Sequence, residues 1–357
     1  MSVPPASDRV RVAVVGATGA VGTVMLRLLR EREFPASEIV AFASERSVGR
    51  ELDGGLVVQA LDDESIKNFD VALFSAGATR SREWAQRFVA AGAVVVDNSS
   101  AFRRDPEIPL VVSEVNPAAL DAHKGIVANP NCTTMVAMLP LKALHDGFSL
   151  RAMVATSFQA AGGAGQKGID ELAGQVAPLA ADVTQLCEDG AGAAAKVEHE
   201  LHAATLAFNV VPLLGSLGEE GYTDEELKLR DESRKILSIP DLAVSPTCVR
   251  VPVMVGHGVA VRATFSDEVD LDRALELLQA FPGLVVDDVP TPLQYAGRDE
   301  VAVGRIRRDL ADPRTLNFFV VGDNLLKGAA LNTVQLAETL YERRLLNPRM
   351  RRISRSF

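Results

Sequence analysis

The stretch that decides the fold is Arg11-Val-Ala-Val-Val-Gly-Ala-Thr-Gly-Ala-Val-Gly22, near the start of the 357-residue chain. A short apolar run leads into three glycines, and apolar residues at helical spacing follow, which is the context in which such a motif binds a dinucleotide. Gly16 permits the tight turn, Gly19 lets the backbone approach a pyrophosphate, and Gly22 permits close packing of helix on strand. The spacing GxxGxxG differs from GxGxxG but fits the same mechanism. The residues expected to bind the dinucleotide are Gly16, Thr18, Gly19, Ala20, Val21 and Gly22.

The loop after the second predicted strand, Ile39–Ala43, bears on the choice between NAD and NADP. NAD-binding proteins place an acidic residue there on the ribose 2′-hydroxyl, whereas a nearby arginine suits the 2′-phosphate of NADP. Ser44, Arg46 and Ser47 make this loop favourable to an anion, so the sequence favours NADP. Glu45 would reverse that preference if it faced the ribose, and a solvated loop without a role is the plain alternative.

Further strand and helix patterns continue the alternation. Asp70–Phe74 and Ala93–Asp97 have the apolar composition of buried strands, and Ser81–Ala91 has helical periodicity. Repeated βα units predict a Rossmann-type α/β domain with a parallel sheet, whose ligands lie at the carboxyl ends of the strands. Arg103 follows the last of these strands and is either a surface charge or an anion ligand; its position favours the ligand.

The second half changes to strand-like segments separated by turn residues, which predicts an α+β domain with a mostly antiparallel sheet. These segments are 151–158, 248–253, 257–265, 301–306 and 316–321. Residues 171–208 are alanine-rich and mostly helical in propensity, which suits packing or a dimer interface. A charged helix is predicted over Asp224–Leu237. A final helix, Ala329–Leu345, is expected to pack back on the first domain, and the basic tail Arg349–Arg355 to be a solvated end.

Composition limits the class of function. The net charge of −10 opposes general nucleic-acid binding, which needs a basic face. The three cysteines, Cys132, Cys187 and Cys248, lie far apart without a CxxC motif, so neither a disulfide framework nor a metal site is indicated. No apolar run reaches the ~18 residues of a membrane span, and Met1–Arg9 lacks the apolar region of a signal peptide. We therefore expect a cytoplasmic protein with no metal, membrane or nucleic-acid partner.

A lone cysteine stands in the segment Asn129-Pro-Asn-Cys-Thr-Thr134. Asn-Pro marks a turn, Asn131 can cap a helix, and the apolar spacing over 135–141 predicts that helix. Cys132 then lies in the first turn, where free N–H groups and the helix dipole favour thiolate, the nucleophilic form. Nearby N–H groups could also hold an oxyanion. A buried structural cysteine is the alternative, since free cysteine is among the most buried residue types.

Seven motifs taken together resemble the aspartate-β-semialdehyde dehydrogenase family. They are Gly16–Gly22, Ser99–Arg103, Asn129–Thr134, Ser157–Gly165, Glu225–Lys228, Arg250–His257 and Asp323–Ala330. They run in the family's order and cover nearly the whole chain. The resemblance implies an NADP-dependent enzyme, typically a homodimer or a dimer of dimers. Its reaction is reductive dephosphorylation of L-aspartyl 4-phosphate to L-aspartate 4-semialdehyde, on the route to lysine, methionine and threonine.

The resemblance also implies a catalytic role for three residues. Cys132 attacks the acyl phosphate to form a thioester, which then takes a hydride from the nicotinamide. His257 is the general acid or base, because its ordinary pKa of about 6.5 permits both protonation states near neutrality. Gln159 orients the acyl group or a water.

The remaining roles implied by the resemblance concern binding. The substrate-binding residues are Arg103, Asn131, Glu225, Lys228 and Arg250. Arg250 would clamp the α-carboxylate, Glu225 would pair with the ammonium, and Arg103 with Lys228 would hold the phosphate. Gly162 and Asn324 are the remaining residues expected to bind the cofactor. Gly162 departs from the family, where many members have serine, and we expect it to alter loop flexibility more than chemistry.

Two domains and three rival functions follow. Residues 1–131 and 329–357 would form the NADP-binding domain, and residues 132–328 the catalytic and dimerisation domain. N-acetyl-γ-glutamyl-phosphate reductase uses the same thiol chemistry, but its substrate has an acylated amine, so Glu225 argues against it. A glyceraldehyde-3-phosphate dehydrogenase is a weaker match, because the Ser-Cys-Thr-Thr-Asn motif is absent. A non-catalytic NADP-sensing Rossmann protein would need no reactive thiol.

Overall fold

The computed structural model describes residues 9–346 and divides them into two compact units. The second unit is Cys132–Gly328, and the first consists of the described residues on either side of it. The tail Arg349–Arg355, predicted to be a solvated end, lies outside the described residues.

The first unit is built on a parallel sheet. Its elements up to the second unit are β1 (Val10–Val15), α1 (Ala20–Glu31), β2 (Ala36–Phe42), β3 (Glu51–Leu52), β4 (Leu56–Val57), β5 (Val71–Phe74), α2 (Gly77–Ala90), β6 (Val94–Asp97) and β7 (Ile126–Ala128). Five strands pair in the order β2-β1-β5-β6-β7, all parallel, while β3 and β4 form a separate hairpin. The predicted Rossmann-type α/β fold is confirmed.

The order of these strands places the ligand end of the sheet at the glycine turn. β1 is flanked by β2 and β5, so the direction of winding reverses beside β1, and ligands of such sheets bind at this switch point. β1 is almost wholly buried because it is apolar on both faces. On one face Trp84 and Phe88 of α2 join a core with Val15 and Phe74, and the Phe74 and Phe88 rings meet edge to face at 5.3 Å.

The second unit has a mixed sheet. Its elements are α3 (Cys132–Phe148), β8 (Leu150–Gln159), α4 (Gln166–Ala180), α5 (Val183–Glu188), α6 (Gly190–Ala194), α7 (Asp224–Leu237), β9 (Ala243–Arg250), β10 (His257–Phe265), α8 (Leu271–Ala280), β11 (Leu284–Val286), α9 (Pro292–Tyr295), β12 (Val301–Arg308) and β13 (Thr315–Gly322). The sheet order is β11-β12-β13-β10-β8-β9, with antiparallel pairs at its centre and a parallel pair at each edge. The mostly antiparallel sheet is therefore confirmed.

Helix α3 forms the centre of the second unit. It packs against β8, β10 and β13 and against α7 and α8, and most of its side chains are buried. A helix with apolar residues on several sides is expected to be enclosed in this way. Its first residue is Cys132, as predicted, so the start of this well-anchored helix fixes the position of the thiol.

The chain returns to the first unit in α10 (Leu331–Glu342), which a π-helical segment, Leu326–Ala330, precedes. α10 packs against α1 and β6, and Arg32 at the end of α1 donates two hydrogen bonds of 2.8 Å to Glu338. The predicted final helix is thus preceded by one π-helical turn and continues as an α-helix. Single π turns of this kind are frequent at functional sites.

The helical propensity of residues 171–208 is expressed in α4, α5 and α6 and ends at Ala194. Residues 195–208 form no regular element, and side chains of α4 accept hydrogen bonds from some of their backbone N–H groups. Gln175 accepts from the N–H groups of Leu206 and Ala207, and Glu171 accepts from those of Glu200 and Leu201. Helical propensity does not take such tertiary hydrogen bonds into account, and here they accompany an irregular backbone.

Residues 9–346 contain neither a membrane-spanning helix nor a cluster of metal ligands. No helix there combines the length and the apolarity needed to cross a membrane. No group of three or more histidine, cysteine, aspartate or glutamate side chains in that part of the chain is arranged to hold a metal ion.

Candidate active site

The glycine turn of the first unit has the shape of an anion cradle. Gly16 has φ +89°, and a Cβ there would overlap the carbonyl of Ser75, while a Cβ on Gly22 would overlap the carbonyl of Gly16. Gly19 is open, since its Cβ would meet only the Gly16 oxygen at 3.4 Å. α1 begins directly after Gly19, and no side chain among the described residues caps it. The free N–H groups of that helix end therefore fit a pyrophosphate. Thr18, Ala20 and Val21 lie on the same turn, and their binding of the dinucleotide stays a prediction.

The predicted ribose loop forms a short 3-10 turn, Glu45–Ser47, directly after β2. The Ser47 N–H donates to the Ser44 carbonyl at 2.8 Å, which closes the turn. Arg46 and Glu45 are both exposed on it. The turn therefore offers a cation and two hydroxyls for a 2′-phosphate, next to the carboxylate of Glu45.

Arg103 is held by main-chain oxygens in the first unit. Its Nε donates to the Asn129 carbonyl and its Nη2 to the Asn98 carbonyl, both at 2.9 Å. The buried Asn129 side chain donates to Asn98 Oδ1 and accepts from Asn332 Nδ2, each at 2.6 Å. These bonds fix the turn that contains the buried Asn131 and precedes α3. The sequence analysis did not single out Asn332, because no pattern around it in the chain indicates its contact with Asn129.

Cys132 and His257 lie in hydrogen-bond contact in the second unit. The Cys132 Sγ is 3.2 Å from His257 Nε2, and the Ala160 N–H donates to His257 Nδ1 at 3.0 Å. His257 is the first residue of β10 and is completely buried. Burial and, after it, the charge of Arg250 lower the pKa of His257 to about 3, although a hydrogen bond with the Gly256 backbone acts in the opposite direction. Burial therefore favours the neutral imidazole near pH 7, and the role of His257 as general acid or base stays a prediction.

Arg250 and Gln159 are register partners at the ends of β9 and β8. Arg250 Nη1 donates to the Ala160 carbonyl at 2.6 Å, whereas its Nε is buried without a partner among the described residues. Burial lowers the pKa of Arg250, and the charges of Cys132 and Glu225 oppose this. A buried N–H without a partner indicates a site for an acceptor from a ligand. The buried Gln159 amide donates to Ser157 Oγ at 3.1 Å.

Glu225 and Lys228 pair with each other at the start of α7. Lys228 Nζ is 3.1 Å from Glu225 Oε2 and 2.7 Å from Asp224 Oδ2. Burial lowers the pKa of Lys228, but attraction to these two carboxylates outweighs it, so the pKa is raised overall. Glu226 completes a capping box with Thr223 and also accepts from the Cys248 N–H, which ties α7 to the strand of Arg250. The predicted substrate charges are thus brought beside that strand, already in an ion pair.

Asn324 and Gly162 both act on the turn that precedes His257. Asn324 Oδ1 accepts from the Gly256 N–H at 2.8 Å, and the Gly162 N–H donates to the Met254 carbonyl at 2.9 Å. A Cβ on Gly162 would lie 2.7 Å from that same carbonyl oxygen. Here the backbone has closed on the place that a serine side chain would need, so Gly162 is required by packing. The cofactor roles of both residues stay predictions.

Two further glycines were missed as site residues. A Cβ on Gly163 would lie 2.8 Å from Arg250 Nη1 and 3.3 Å from His257 Cε1. A Cβ on Gly328, in the π-helical segment, would lie 2.9 Å from Cys132 Cβ. Each glycine therefore lets a loop or helix close on a candidate catalytic group. The signal in the sequence was a glycine inside each motif, without any sign of what it touches.

Comparisons with known proteins agree with this geometry. The family model "Semialdehyde dehydrogenase, NAD binding domain" matches residues 11–123, and "Semialdehyde dehydrogenase, dimerisation domain" matches residues 141–327. An aspartate-semialdehyde dehydrogenase from Streptomyces akiyoshiensis is 53% identical over 92% of this chain and 97% of its own.

Two solved structures of aspartate semialdehyde dehydrogenase II from Vibrio cholerae are also similar. Both are 40% identical to this chain and cover 94% of it. The first has a TM-score of 0.87 and is covered over 99% of its own length. The second, complexed with ASA, has a TM-score of 0.86 and is covered over 98%. The resemblance read from the motifs is confirmed, and the chain belongs to the aspartate-semialdehyde dehydrogenase family.

Proposed function

We propose that the chain carries out the reaction of its family through a thioester on Cys132. The substrate is L-aspartyl 4-phosphate, and the products are L-aspartate 4-semialdehyde and phosphate. The single observation that carries the proposal is the contact of the Cys132 sulfur with His257 at 3.2 Å, beside an arginine whose Nε–H has no partner among the described residues. A thiol next to a hydrogen-bonding imidazole is the arrangement of an activated nucleophile.

Cys132 supplies the nucleophile at the start of α3. The first N–H groups of a helix have no intrahelical partner, so they favour a sulfur anion and can receive an oxyanion that develops nearby. Bound NADPH supplies the hydride that reduces the thioester. A thioester suits this step because its carbonyl is less stabilised by resonance than that of an oxygen ester.

Arg250 is proposed to bind the α-carboxylate of the substrate. One nitrogen of its guanidinium is already anchored on the Ala160 carbonyl, so the fork is held in one orientation. The buried Nε–H then offers a second, directed donor to a carboxylate. Glu225 is proposed to leave Lys228 for the substrate ammonium, so that Lys228 keeps its bond to Asp224 and can direct another N–H at an anion. The phosphate roles of Arg103 and Lys228, the part of Asn131 in binding and the orienting role of Gln159 are proposed on the motif match.

The cofactor, assembly and location complete the proposal. NADP is the cofactor, and residues 1–131 with 329–357 form its domain; the uncapped helix end after Gly19 and the cation of Arg46 support this. Residues 132–328 form the catalytic and dimerisation domain of a homodimer, in keeping with the name of the matching family model. A cytoplasmic location suits an enzyme whose three cysteines form no disulfide, because a reducing compartment keeps the thiol active.

Substrate choice is the sharpest test of this function. The purified enzyme is assayed for phosphate-dependent reduction of NADP⁺ with L-aspartate 4-semialdehyde and with N-acetyl-L-glutamate 5-semialdehyde. Turnover of the first alone is expected, because Glu225 needs a free ammonium. Preference for the second would make the protein the rival reductase, and turnover of neither would favour the NADP sensor.

Alkylation tests the thiol separately. Iodoacetamide is expected to label Cys132 at a rate that phosphate lowers, as measured by peptide mass spectrometry. Cys187→Ser serves as the control, because Cys187 is exposed and would otherwise consume reagent. Cys248 should stay unlabelled, since burial raises the pKa of its thiol to about 12. Equal labelling of Cys132 with and without phosphate would contradict the assignment.

A further inference from the structure

A buried carboxylate, Asp97, anchors the turn that leads to Arg103. Asp97 is the last residue of β6 and is completely buried. Its Oδ1 accepts from Ser81 Oγ at 2.6 Å and from the Ser99 N–H at 3.2 Å, and its Oδ2 accepts from Ser99 Oγ at 2.7 Å. Burial of a carboxylate is costly, so a role that a neutral side chain could not fill is expected here.

The donors around Asp97 match an ionised carboxylate. Ser99 Oγ already accepts from the Ala101 N–H at 3.1 Å, so its own proton is available for Asp97. An ionised carboxylate only accepts, whereas an amide or a protonated carboxyl would set a hydrogen against one of these donors. Burial raises the pKa of Asp97, while the hydrogen bonds of the two serines and the charge of Arg103 oppose this. The hydrogen bonds therefore run in one direction, from Ala101 through Ser99 to Asp97.

One peptide group connects Asp97 to Arg103. The Ser99 N–H, which donates to Asp97 Oδ1, and the Asn98 carbonyl are the two ends of the same planar amide. That carbonyl accepts from Arg103 Nη2 at 2.9 Å. A rotation of the amide plane would therefore break both bonds together. The carboxylate also polarises the amide, which makes the carbonyl a stronger acceptor for the guanidinium.

The other main-chain anchor of Arg103 does not depend on the carboxylate. Arg103 Nε donates to the Asn129 carbonyl at 2.9 Å, and the Asn129 N–H donates to the main-chain carbonyl of Asp97 at 2.8 Å. A substitution of the Asp97 side chain leaves this main-chain bond in place. Loss of the carboxylate should therefore weaken the anchor at Asn98 and keep the one at Asn129, so that the guanidinium loses its fixed orientation while the sheet is preserved.

We propose that Asp97 is a positioning residue for phosphate, which acts through the Asn98–Ser99 peptide to hold Arg103 in the orientation that binds the anion. This inference rests on the proposed function, because it takes Arg103 as a ligand of the substrate phosphate. A planar guanidinium makes paired hydrogen bonds to phosphate only when its plane is correctly directed. A rotation of Arg103 therefore weakens binding of the anion without removing the positive charge.

Phosphate kinetics of two variants test this positioning. Asp97→Asn removes the charge and one acceptor, and we expect KM for phosphate in the oxidative direction to rise by about 10-fold, the value of a hydrogen bond to a charged group. Ser99→Ala removes only the hydroxyl bond, and a rise of at least about threefold is expected. Ser99→Ala keeps the buried carboxylate, so it can be assayed even if Asp97→Asn folds poorly. KM for L-aspartate 4-semialdehyde should stay within about twofold in both variants.

Ser81→Ala is the matched control. It removes a hydrogen bond from the same carboxylate, but Ser81 lies on α2 and not on the turn, so the link to Arg103 is kept. Its KM for phosphate should stay within about twofold of the wild type even where its thermal stability falls. A general weakening of the fold would raise the phosphate KM of Ser81→Ala and Asp97→Asn alike, which would overturn the proposal. An unchanged phosphate KM in Ser99→Ala and Asp97→Asn would overturn it too.

A double-mutant cycle tests whether Asp97 acts through Arg103. Arg103→Ala is expected to raise KM for phosphate by itself. Asp97→Asn added to that variant should change KM by less than about twofold, because the effects of residues that act through one another are not additive. Effects that multiply would mean that Asp97 acts by another route, and an Arg103→Ala variant with normal phosphate kinetics would leave nothing for Asp97 to position. Either result would refute the inference.

Phosphate binding is also measured without turnover, which separates this inference from the proposed function. The phosphate concentration that halves iodoacetamide labelling of Cys132 should rise in Asp97→Asn by the same factor as KM. If the proposed function is wrong, the wild-type enzyme shows neither protection of Cys132 by phosphate nor phosphate-dependent turnover. If only the inference fails, the wild-type enzyme shows both, and Asp97→Asn has the same phosphate dependence as the wild type.

Discussion

The glycine turn of the first unit and the thiol site of the second unit hold their groups in different ways. The turn consists of seven consecutive residues, Gly16–Gly22, whose shape comes from missing side chains and a free helix end. The thiol site joins Cys132, Ala160, Arg250 and His257, which are far apart in the chain and meet only through the sheet and α3. Binding of the cofactor is therefore encoded locally, whereas the chemistry depends on tertiary structure. Substitutions should therefore separate the two.

The largest effect should come from Cys132→Ser. We expect turnover to fall by about 10⁴ or more, as for removal of other covalent nucleophiles, because a serine hydroxyl stays protonated beside a neutral imidazole. The dissociation constant of NADPH, measured by calorimetry, should stay within about twofold. A parallel loss of NADPH binding would mean that the two regions are not separable in this way.

Arg250→Lys should have the next largest effect. A lysine can keep one bond to the Ala160 carbonyl or serve the substrate, but it cannot do both, because it lacks the fork of the guanidinium. We expect KM for L-aspartate 4-semialdehyde to rise by about 10 to 100-fold, the value of a hydrogen bond to a charged group, with a smaller change in kcat. Unchanged KM in steady-state kinetics would remove Arg250 from the substrate site.

Substitution of alanine at each of three glycines would compare the two regions directly. Gly22→Ala overpacks the cofactor turn and should raise the Kd of NADPH, whereas Gly163→Ala presses on Arg250 and His257 and should lower kcat/KM with that Kd unchanged. Overpacking of about 1–3 kcal/mol corresponds to changes of roughly 5 to 100-fold. Gly174→Ala on α4 is the control, since a Cβ there meets no atom within 4 Å. Similar Kd values for the Gly22 and Gly163 variants would break the comparison.

The smallest effect concerns pH and stability. The pKa of His257 falls from about 6.5 unfolded to about 3 in the fold, so the unfolded chain binds the extra proton as pH drops. The stabilising contribution is present above pH 6.5 and is lost as the pH falls toward 3, by about 1.5 kcal/mol between pH 6.5 and 5. Urea unfolding should show this loss, and His257→Gln should show less of it. An equal slope in both proteins would mean that the ring is not held neutral.

How much could be predicted from sequence follows from the same contrast. The turn at Gly16–Gly22 and the start of α3 at Cys132 were readable because their signals are contiguous: a strand, a turn and a helix with a periodic face. The short strands β7 and β11, three residues each, are too brief to show a period, so no pattern indicated them. Alanine favours helix, so the composition gave no sign that residues 195–208 are irregular. Gln175 and Glu171 accept hydrogen bonds from the backbone of that irregular segment.

Within the site, the residue types could be predicted and their state could not. The order of the motifs indicated Cys132, His257 and Arg250 as site residues. The protonation state of His257, however, depends on its complete burial, which cannot be read from one sequence. The pairing of Lys228 with Asp224 as well as Glu225 depends on which side chains share the first turn of α7. Such quantities arise from desolvation and from distances between elements, and they appear only once the chain is folded.

The anchoring of the imidazole on Ala160 has an evolutionary consequence. Every amino acid except proline supplies the same N–H and carbonyl, so the control of this ring leaves no signature that a comparison of side chains would detect. Lineages can exchange the residue at this position, within the limits of the space around it, and still inherit the same acid–base behaviour. A determinant of the chemistry can therefore be preserved at a site that looks replaceable.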